Sequence, residues 1–383
     1  MKTSVYLDYN ATTPVDEKVL AHMLPYFSIH FGNATSKTHS YGWLAYDAVK
    51  KARTQVAEII GAHESEIIFT SGATESINLA IKGVCAAYQK KGNHIVTVAT
   101  EHKAVLDCCA SFEKTGGSVT YLSVDREGLI DMDDLKNAIT DNTILVCIML
   151  ANNETGVIQN IHQAAEIIHA KKSLLLCDAT QAIGKMRVDV MEEDIDLLCI
   201  SAHKFYGPKG IGALYVRRKN PRVTLLPIMH GGGHENGLRS GTLNVTGIVG
   251  LGAACELAQS EMWDNNILIS KLRTKLEQSL IDLGNVFVNG SQKQRMPNVS
   301  NLLFKGIKAE RLITKIPDIA IATGSACSSA LPEASHVLKA MGLSDEDAYS
   351  SIRFSLGKYT TEEEINYAIQ KVSEAVNDLL KER

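Results

Sequence analysis

Along most of the chain, short runs of apolar residues alternate with longer stretches in which apolar residues return every three or four positions. The runs at 66–70, 94–99, 144–150, 173–177, 197–200 and 210–216 predict buried strands. The stretches at 15–26, 41–60, 77–87, 127–139 and 161–170 predict helices. A longer helical region spans 248–283, with Asp264, Asn265 and Asn266 read as a break in it. From about Gly284 onward shorter strands and helices alternate. They include a strand over 298–304 and a closing amphipathic helix over 361–381, whose first turn carries Glu362, Glu363 and Glu364. Strands separated by helices of about a dozen residues predict a mostly parallel α/β sheet, and 383 residues suffice for a second, smaller domain behind it.

Polar residues recur where these strands end, which is where ligands bind in open parallel sheets. The strand at 66–70 runs into Ser71, Gly72, Ala73 and Thr74 just before a helix. Free backbone N–H groups at the positive end of a helix suit a phosphate, whereas the plainer reading is a helix cap made by Ser71 or Thr74. His102 follows the strand at 94–99, in a place that also suits a capping histidine. Asn152, Asn153 and Glu154 follow the next strand, and Asp178 and Gln181 the one after. The stretch LLCISAHKFYGPKG, 197–210, carries an apolar strand into Ser201, His203 and Lys204. A lysine among hydroxyl, imidazole and aromatic neighbours can lose its proton and attack a carbonyl as an amine, but an ordinary loop lysine fits the same stretch. Asp8 to Pro14 read as an extended segment of turn formers that caps a helix.

Composition narrows the field. A net charge of -4, with 45% hydrophobic and 21% charged residues, gives no reason to expect nucleic acid or an anionic membrane as a partner. No run approaches the roughly 18 apolar residues of a spanning helix. The first residues lack a secretory apolar core, so a cytoplasmic protein is expected. The eight cysteines include no Cys-x-x-Cys pair, which disfavours a metal cage and a disulfide framework. Cys147, Cys177 and Cys199 sit in apolar runs and read as core residues, and Cys108 and Cys109 as packing residues of a helix. Cys327 differs, because Thr323 to Ala330 is a run of small residues between a predicted strand and the helix expected after Pro332. Such a setting suits a reactive, movable thiol better than a packed one.

Taken together, the motifs YLDYNATTP (6–14), SGATES (71–76), NNE (152–154), DATQ (178–181), SAHK (201–204), RSGT (239–242), GSAC (324–327) and SIRFSLG (351–357) resemble those of the cysteine desulfurases. These belong to the class V aminotransferase family of fold type I pyridoxal-phosphate enzymes, and the likeness covers nearly the whole chain. It implies an α/β fold in which residues 15–260 form a cofactor-binding large domain with a mostly parallel sheet. Residues 261–383 would form a smaller α+β domain with a mobile cysteine loop, joined by residues 1–14. The resemblance assigns the Schiff-base lysine to Lys204, the pyridine-nitrogen partner to Asp178, the stacked imidazole to His102 and a donor to the phenolic oxygen to Gln181. It places Ala73, Thr74, Ser201 and His203 at the phosphate, with Thr242 reaching it from the other subunit of a homodimer. Asn153 contacts cofactor and substrate, and Arg353 the substrate carboxylate. Cys327 would receive sulfur from L-cysteine as a persulfide, releasing L-alanine, with His102 the neighbouring base that supplies its thiolate. The partners implied are a sulfur-acceptor protein serving iron-sulfur cluster assembly, thiolated tRNA or cofactor synthesis. No resident metal is implied, Cys327 being at most a transient iron-sulfur ligand during transfer. A selenocysteine lyase or related aminotransferase would keep Lys204 and Asp178 without needing Cys327, and an inactive scaffold would need none of the three.

Overall fold

A computed structural model describes residues 4–323 and 334–382. Its strands are β1 (Val5–Tyr6), β2 (Ile67–Thr70), β3 (His94–Val98), β4 (Ser118–Leu122), β5 (Thr143–Met149), β6 (Leu174–Asp178), β7 (Leu197–Ser201), β8 (Gly212–Val216), β9 (Val286–Val288), β10 (Val299–Phe304), β11 (Ile319–Ala320) and β12 (Ser351–Ser355). Seven of them form one sheet in the order β2-β8-β7-β6-β5-β3-β4. It is parallel throughout except for β8, which runs antiparallel to both neighbours. The central strands β5, β6 and β7 are buried at every position, as expected of a parallel sheet covered on both faces. One face packs on helices Ser40–Glu58 and Ile161–Ala170 and on the first turns of helix Val245–Ile281. The other packs on helices Ala73–Tyr88 and Lys103–Lys114.

A second core forms around the antiparallel sheet β12-β10-β9 and helix Glu362–Lys381, and it takes in Val5 and Leu7 from the opposite end of the chain. Thr361 caps that helix in a capping box with Glu364. Helix Val245–Ile281 runs unbroken from the first core to the second, so no break occurs at Asp264, Asn265 and Asn266. Three poor helix formers cost only a few tenths of a kcal/mol each. Ile269, Leu272, Leu276 and Leu280, buried in the second core, hold the helix against that cost. The helix expected over 127–139 is likewise shorter, Met132–Ala138. Asp125 accepts the backbone N–H groups of Glu127 and Leu129 and ties the preceding residues into a turn, and Asp131 then caps the helix. Edge strand β4, partly exposed along its length, lacks the apolar run that would have announced it.

At the end of the sheet away from the strand carboxyl ends, Asp196 accepts from the backbone N–H of Leu175 at 2.9 Å and pairs with His169 Nε2 at 2.8 Å, while His169 Nδ1 meets Asp194 at 2.8 Å. Arg217 closes the cluster, 2.7 Å from Asp194. Hydrogen bonding to Asp196 raises the His169 pKa, against the opposing effect of its burial. A raised folded pKa gives stability that is present below the unfolded value of about 6.5 and is lost as pH climbs through the folded one. His169→Gln should therefore cost about 1.5–3 kcal/mol in urea unfolding at pH 6 and clearly less at pH 9. An equal loss at both pH values would show that the imidazolium charge contributes nothing.

Candidate active site

β7 delivers the site's lysine. After Ser201 the chain makes a single 3-10 turn, Ala202–Lys204, and Tyr206 then adopts a positive φ of 69°. This turn is fixed from outside by the N-terminal segment. Thr13 donates both its backbone N–H and its hydroxyl to the carbonyl of His203, and its hydroxyl accepts from the N–H of Tyr206. Lys204 Nζ in turn donates to the carbonyls of Asn10 (2.7 Å) and Ala11 (2.8 Å). The segment read as a helix cap thus forms a wall of the site, and Asp16, two residues beyond Pro14, does the capping of helix Glu17–Met23.

Gln181 shares that wall, its Nε2 donating to the same carbonyl of Asn10 at 2.9 Å. Asp178, buried at the last position of β6, accepts from the backbone N–H of Thr180 at 3.0 Å and from its hydroxyl. His102 caps helix Lys103–Lys114, its Nδ1 accepting from Ala104 N at 3.1 Å. That bond places the ring's proton on Nε2. Burial in the surrounding protein pushes the His102 pKa down, an effect opposed by Asp178 and reinforced by Lys204 and His336. Asp178, Lys204 and His336 thus lie within electrostatic reach of the His102 ring. The His203 pKa falls to about 4 through burial and the nearby lysines, so this imidazole is neutral at pH 7 and meets the hydroxyl of Thr12 at 3.1 Å.

The phosphate candidates also come together. Helix Ala73–Tyr88 begins at Gly72 with no side-chain cap, so neither Ser71 nor Thr74 takes that role. Ser71 instead donates its backbone N–H to Glu75, which Arg239 grips at 2.7 Å. A Cβ on Gly72 would lie 3.6 Å from the Ser201 hydroxyl, so the uncapped helix start and Ser201 face each other. Buried Arg353, on β12, donates to the carbonyl of Asn153 (3.0 Å) and pairs with Asp8 (2.6 Å). Its Nε is buried with no hydrogen-bond partner among the described residues. Thr242 is exposed on the segment before helix Val245–Ile281. Cys327 lies outside the described residues. Asn10, Asp8 and Lys185 belong to the arrangement and were given no site role from the sequence; two of them sit in the YLDYNATTP motif, read as turn formers and as part of the resemblance. Among the described residues no three His, Cys, Asp or Glu side chains gather to hold a metal ion.

The aminotransferase class-V family model matches residues 5–367. The cysteine desulfurases IscS of Histophilus somni (strain 2336) and Proteus mirabilis (strain HI4320) are 52% and 51% identical, each match covering 99% of this chain and 94% of the relative. The chain belongs to the cysteine desulfurases of the class-V aminotransferase family. A solved NifS-like protein superposes with a TM-score of 0.91 at 38% identity, covering 98% of this chain and 99% of that one. A second solved neighbour, SspA in complex with cysteine, gives a TM-score of 0.83 at 38% identity over 94% of this chain and all of its own. Desulfurases of this family depend on pyridoxal phosphate, and the residues present fit it. An uncapped helix start offers N–H groups to a phosphate, a buried carboxylate ends β6, and an amine stands on the turn after β7.

Seven cysteines lie among the described residues, six of them buried, and Cys147, Cys177 and Cys199 fill the sheet as expected. Burial pushes the thiols of Cys147, Cys177 and Cys199 well above the ordinary range, that of Cys108 to about 11 and that of the partly buried Cys85 to about 12.

Gly72 has φ 150° and ψ -178°, a combination nearly reserved for glycine. Gly72→Ala should lower unfolding stability by about 1–3 kcal/mol. It should also weaken retention of added pyridoxal phosphate, measured by the cofactor's absorbance after dialysis. Retention unchanged from wild type would show that the helix start does not carry the phosphate.

Proposed function

We propose that this desulfurase takes the sulfur of L-cysteine onto Cys327 as a persulfide, releases L-alanine, and passes the sulfur to an acceptor protein. Support comes chiefly from the convergence of Lys204, Asp178, Gln181 and His102 at the carboxyl ends of β6 and β7, with the unpaired guanidinium nitrogen of Arg353 nearby.

Pyridoxal phosphate, held there through Lys204, supplies a sink for the electrons of a broken Cα–H bond. The carboxylate of Asp178 holds the pyridine nitrogen protonated. Gln181 donates to the phenolic oxygen. His102 would stack on the cofactor ring. Ala73, Thr74, Ser201 and neutral His203 hold the phosphate, joined by Thr242 of the other subunit. Arg353, oriented by Asp8 and by the carbonyl of Asn153, binds both oxygens of the substrate carboxylate, and Asn153 sits beside it. Lys204 takes the Cα proton as base. The Cys327 thiolate attacks substrate Sγ and the Cβ–Sγ bond breaks with its electrons staying on Cβ, which takes up one proton, while Lys204 returns a proton to Cα to complete alanine. In the neutral Nε2–H tautomer His102 is a proton donor at Nε2, and it takes the proton of an incoming thiol only when Nδ1 is released from the Ala104 N–H.

A homodimer working in the cytoplasm completes the reading. Phe27, Ile29, Phe31, Trp43 and Tyr46 are each more than half exposed. Trp43 and Tyr46 line a groove of about 830 Å³ together with Arg53, His234 and Leu243, the last adjoining Thr242 in sequence. So much exposed aromatic surface suits an isologous partner. No helix among the described residues is long and apolar enough to cross a membrane. The acceptor proposed is an iron-sulfur scaffold or a protein of tRNA or cofactor thiolation.

The purified protein should absorb in the visible, and borohydride should fix the cofactor to Lys204, located by peptide mass. Cys327→Ser should keep that absorbance and bind cysteine yet lose at least about a hundredfold in alanine and sulfide release. Each of Cys85, Cys108, Cys109, Cys147, Cys177, Cys199 and Cys255 should be replaceable with little loss of turnover. Wild-type alanine release by Cys327→Ser would move the reading to a lyase without a protein persulfide. Labelled cysteine incubated with candidate acceptors identifies the one that becomes labelled.

In sedimentation the protein should run as a dimer, and Thr242→Ala should weaken cofactor retention severalfold while leaving the dimer intact. A fully active monomer would remove the shared phosphate site.

A further inference from the structure

Lys185 has no place in the assigned chemistry, yet it lies against a residue that does. It stands one turn after Gln181, in the loop following β6, and its Nζ donates to Gln181 Oε1 at 2.9 Å. The loop itself is held in place. Gly184 takes a positive φ of 76°, and Asn266 on the long helix donates to the Lys185 carbonyl at 2.7 Å. A lysine enclosed in this way is costly, and its burial together with Lys204 and Arg353 lowers its pKa to about 7. No carboxylate hydrogen-bonds to it among the described residues, and the acceptor it meets is the amide oxygen of Gln181.

We infer that Lys185 is a positioning residue that fixes the orientation of the Gln181 side-chain amide. As an ammonium, the form that prevails below pH 7, Lys185 carries donors only, so the Gln181 atom it meets there must be the carbonyl oxygen. That leaves the two N–H groups on the other side. One is taken by the carbonyl of Asn10, at 2.9 Å, and the second is kept for the phenolic oxygen of the cofactor. With the amide turned over, oxygen would face the Asn10 carbonyl and an NH2 group would face the ammonium, two repulsive contacts in place of two hydrogen bonds. Without Lys185, the amide loses the partner that distinguishes its two ends on that side.

This inference rests on pyridoxal phosphate as the cofactor and Gln181 as its phenolic-oxygen donor. Its test is a double-mutant cycle read by cofactor retention, titrating pyridoxal phosphate against the visible band of each dialysed protein. Lys185→Met should weaken retention about tenfold, the worth of one hydrogen bond to a charged group. Lys185→Arg, which keeps a donor-only cation, should stay within about twofold of wild type. In a Gln181→Ala background, Lys185→Met should add no further loss. Replacing an enclosed cation by an apolar side chain of similar length does not itself threaten folding, and cofactor-free unfolding of each variant checks this. Wild-type retention in Lys185→Met would overturn the inference. So would additive losses in the double variant, which would mean Lys185 acts independently of Gln181, or an Arg variant as weak as the Met variant. A wild-type protein with no visible band would instead overturn the cofactor reading itself.

Discussion

One backbone carbonyl ties this molecule's functional half together. The oxygen of Asn10 accepts from both Lys204 Nζ and Gln181 Nε2, so residues arriving on two different strands are held to a common point. The Asn10 side chain extends the tie, donating to the Asn153 carbonyl at 3.1 Å and accepting from Asn298 at 3.0 Å, while its backbone N–H reaches Ser355. Each of those partners belongs to a different part of the chain. Asn10 is buried, so these bonds form in low dielectric, where each is stronger and a missing one more costly. Val5 and Leu7 fix the same segment in the second core. The geometry around Lys204 therefore depends on a stretch nearly two hundred residues away in sequence.

The central strands and covering helices were legible because their signal is local. β5 to β7 are continuous apolar runs, and helix Ser40–Glu58 repeats its apolar residues every three or four positions. Lys204, Asp178 and His102 could be placed at strand ends for the same reason. What could not be read was decided by partners distant in the chain. Asp264, Asn265 and Asn266 look like a break, yet burial farther along the helix and the bond from Asn266 to Lys185 hold it straight. Asn10 looks like a turn residue because nothing near it in sequence reveals that its carbonyl is a double acceptor. Lys185 has no motif of its own, and only the fold shows its nitrogen against Gln181.

In the proposed reading, Arg353 is a binding group prepared at the cost of burying charge. Its pairing with Asp8 and the Asn153 carbonyl compensates the guanidinium inside the protein, where a lone charge would not be tolerated. Because Asp8 precedes Asn10 by two residues, the N-terminal segment orients both the amine of Lys204 and the guanidinium of Arg353. A displacement of this one segment would disturb two functions together, which distinguishes it from a loop that supports a single residue.

The placement of the cysteines bears on the fidelity of sulfur handling. Thiol exchange requires a thiolate as attacking group, and the rate falls as the ionised fraction falls. Six of the seven described cysteines are buried, and in Cys85, Cys108, Cys147, Cys177, Cys199 and Cys255 the proton is held more tightly than in free cysteine. A sulfane sulfur carried on this chain would find scarcely any ionised thiol among those six to which it could migrate. Scrambling into the interior, which would trap sulfur where no acceptor could collect it, is thereby suppressed by desolvation alone, with no dedicated barrier.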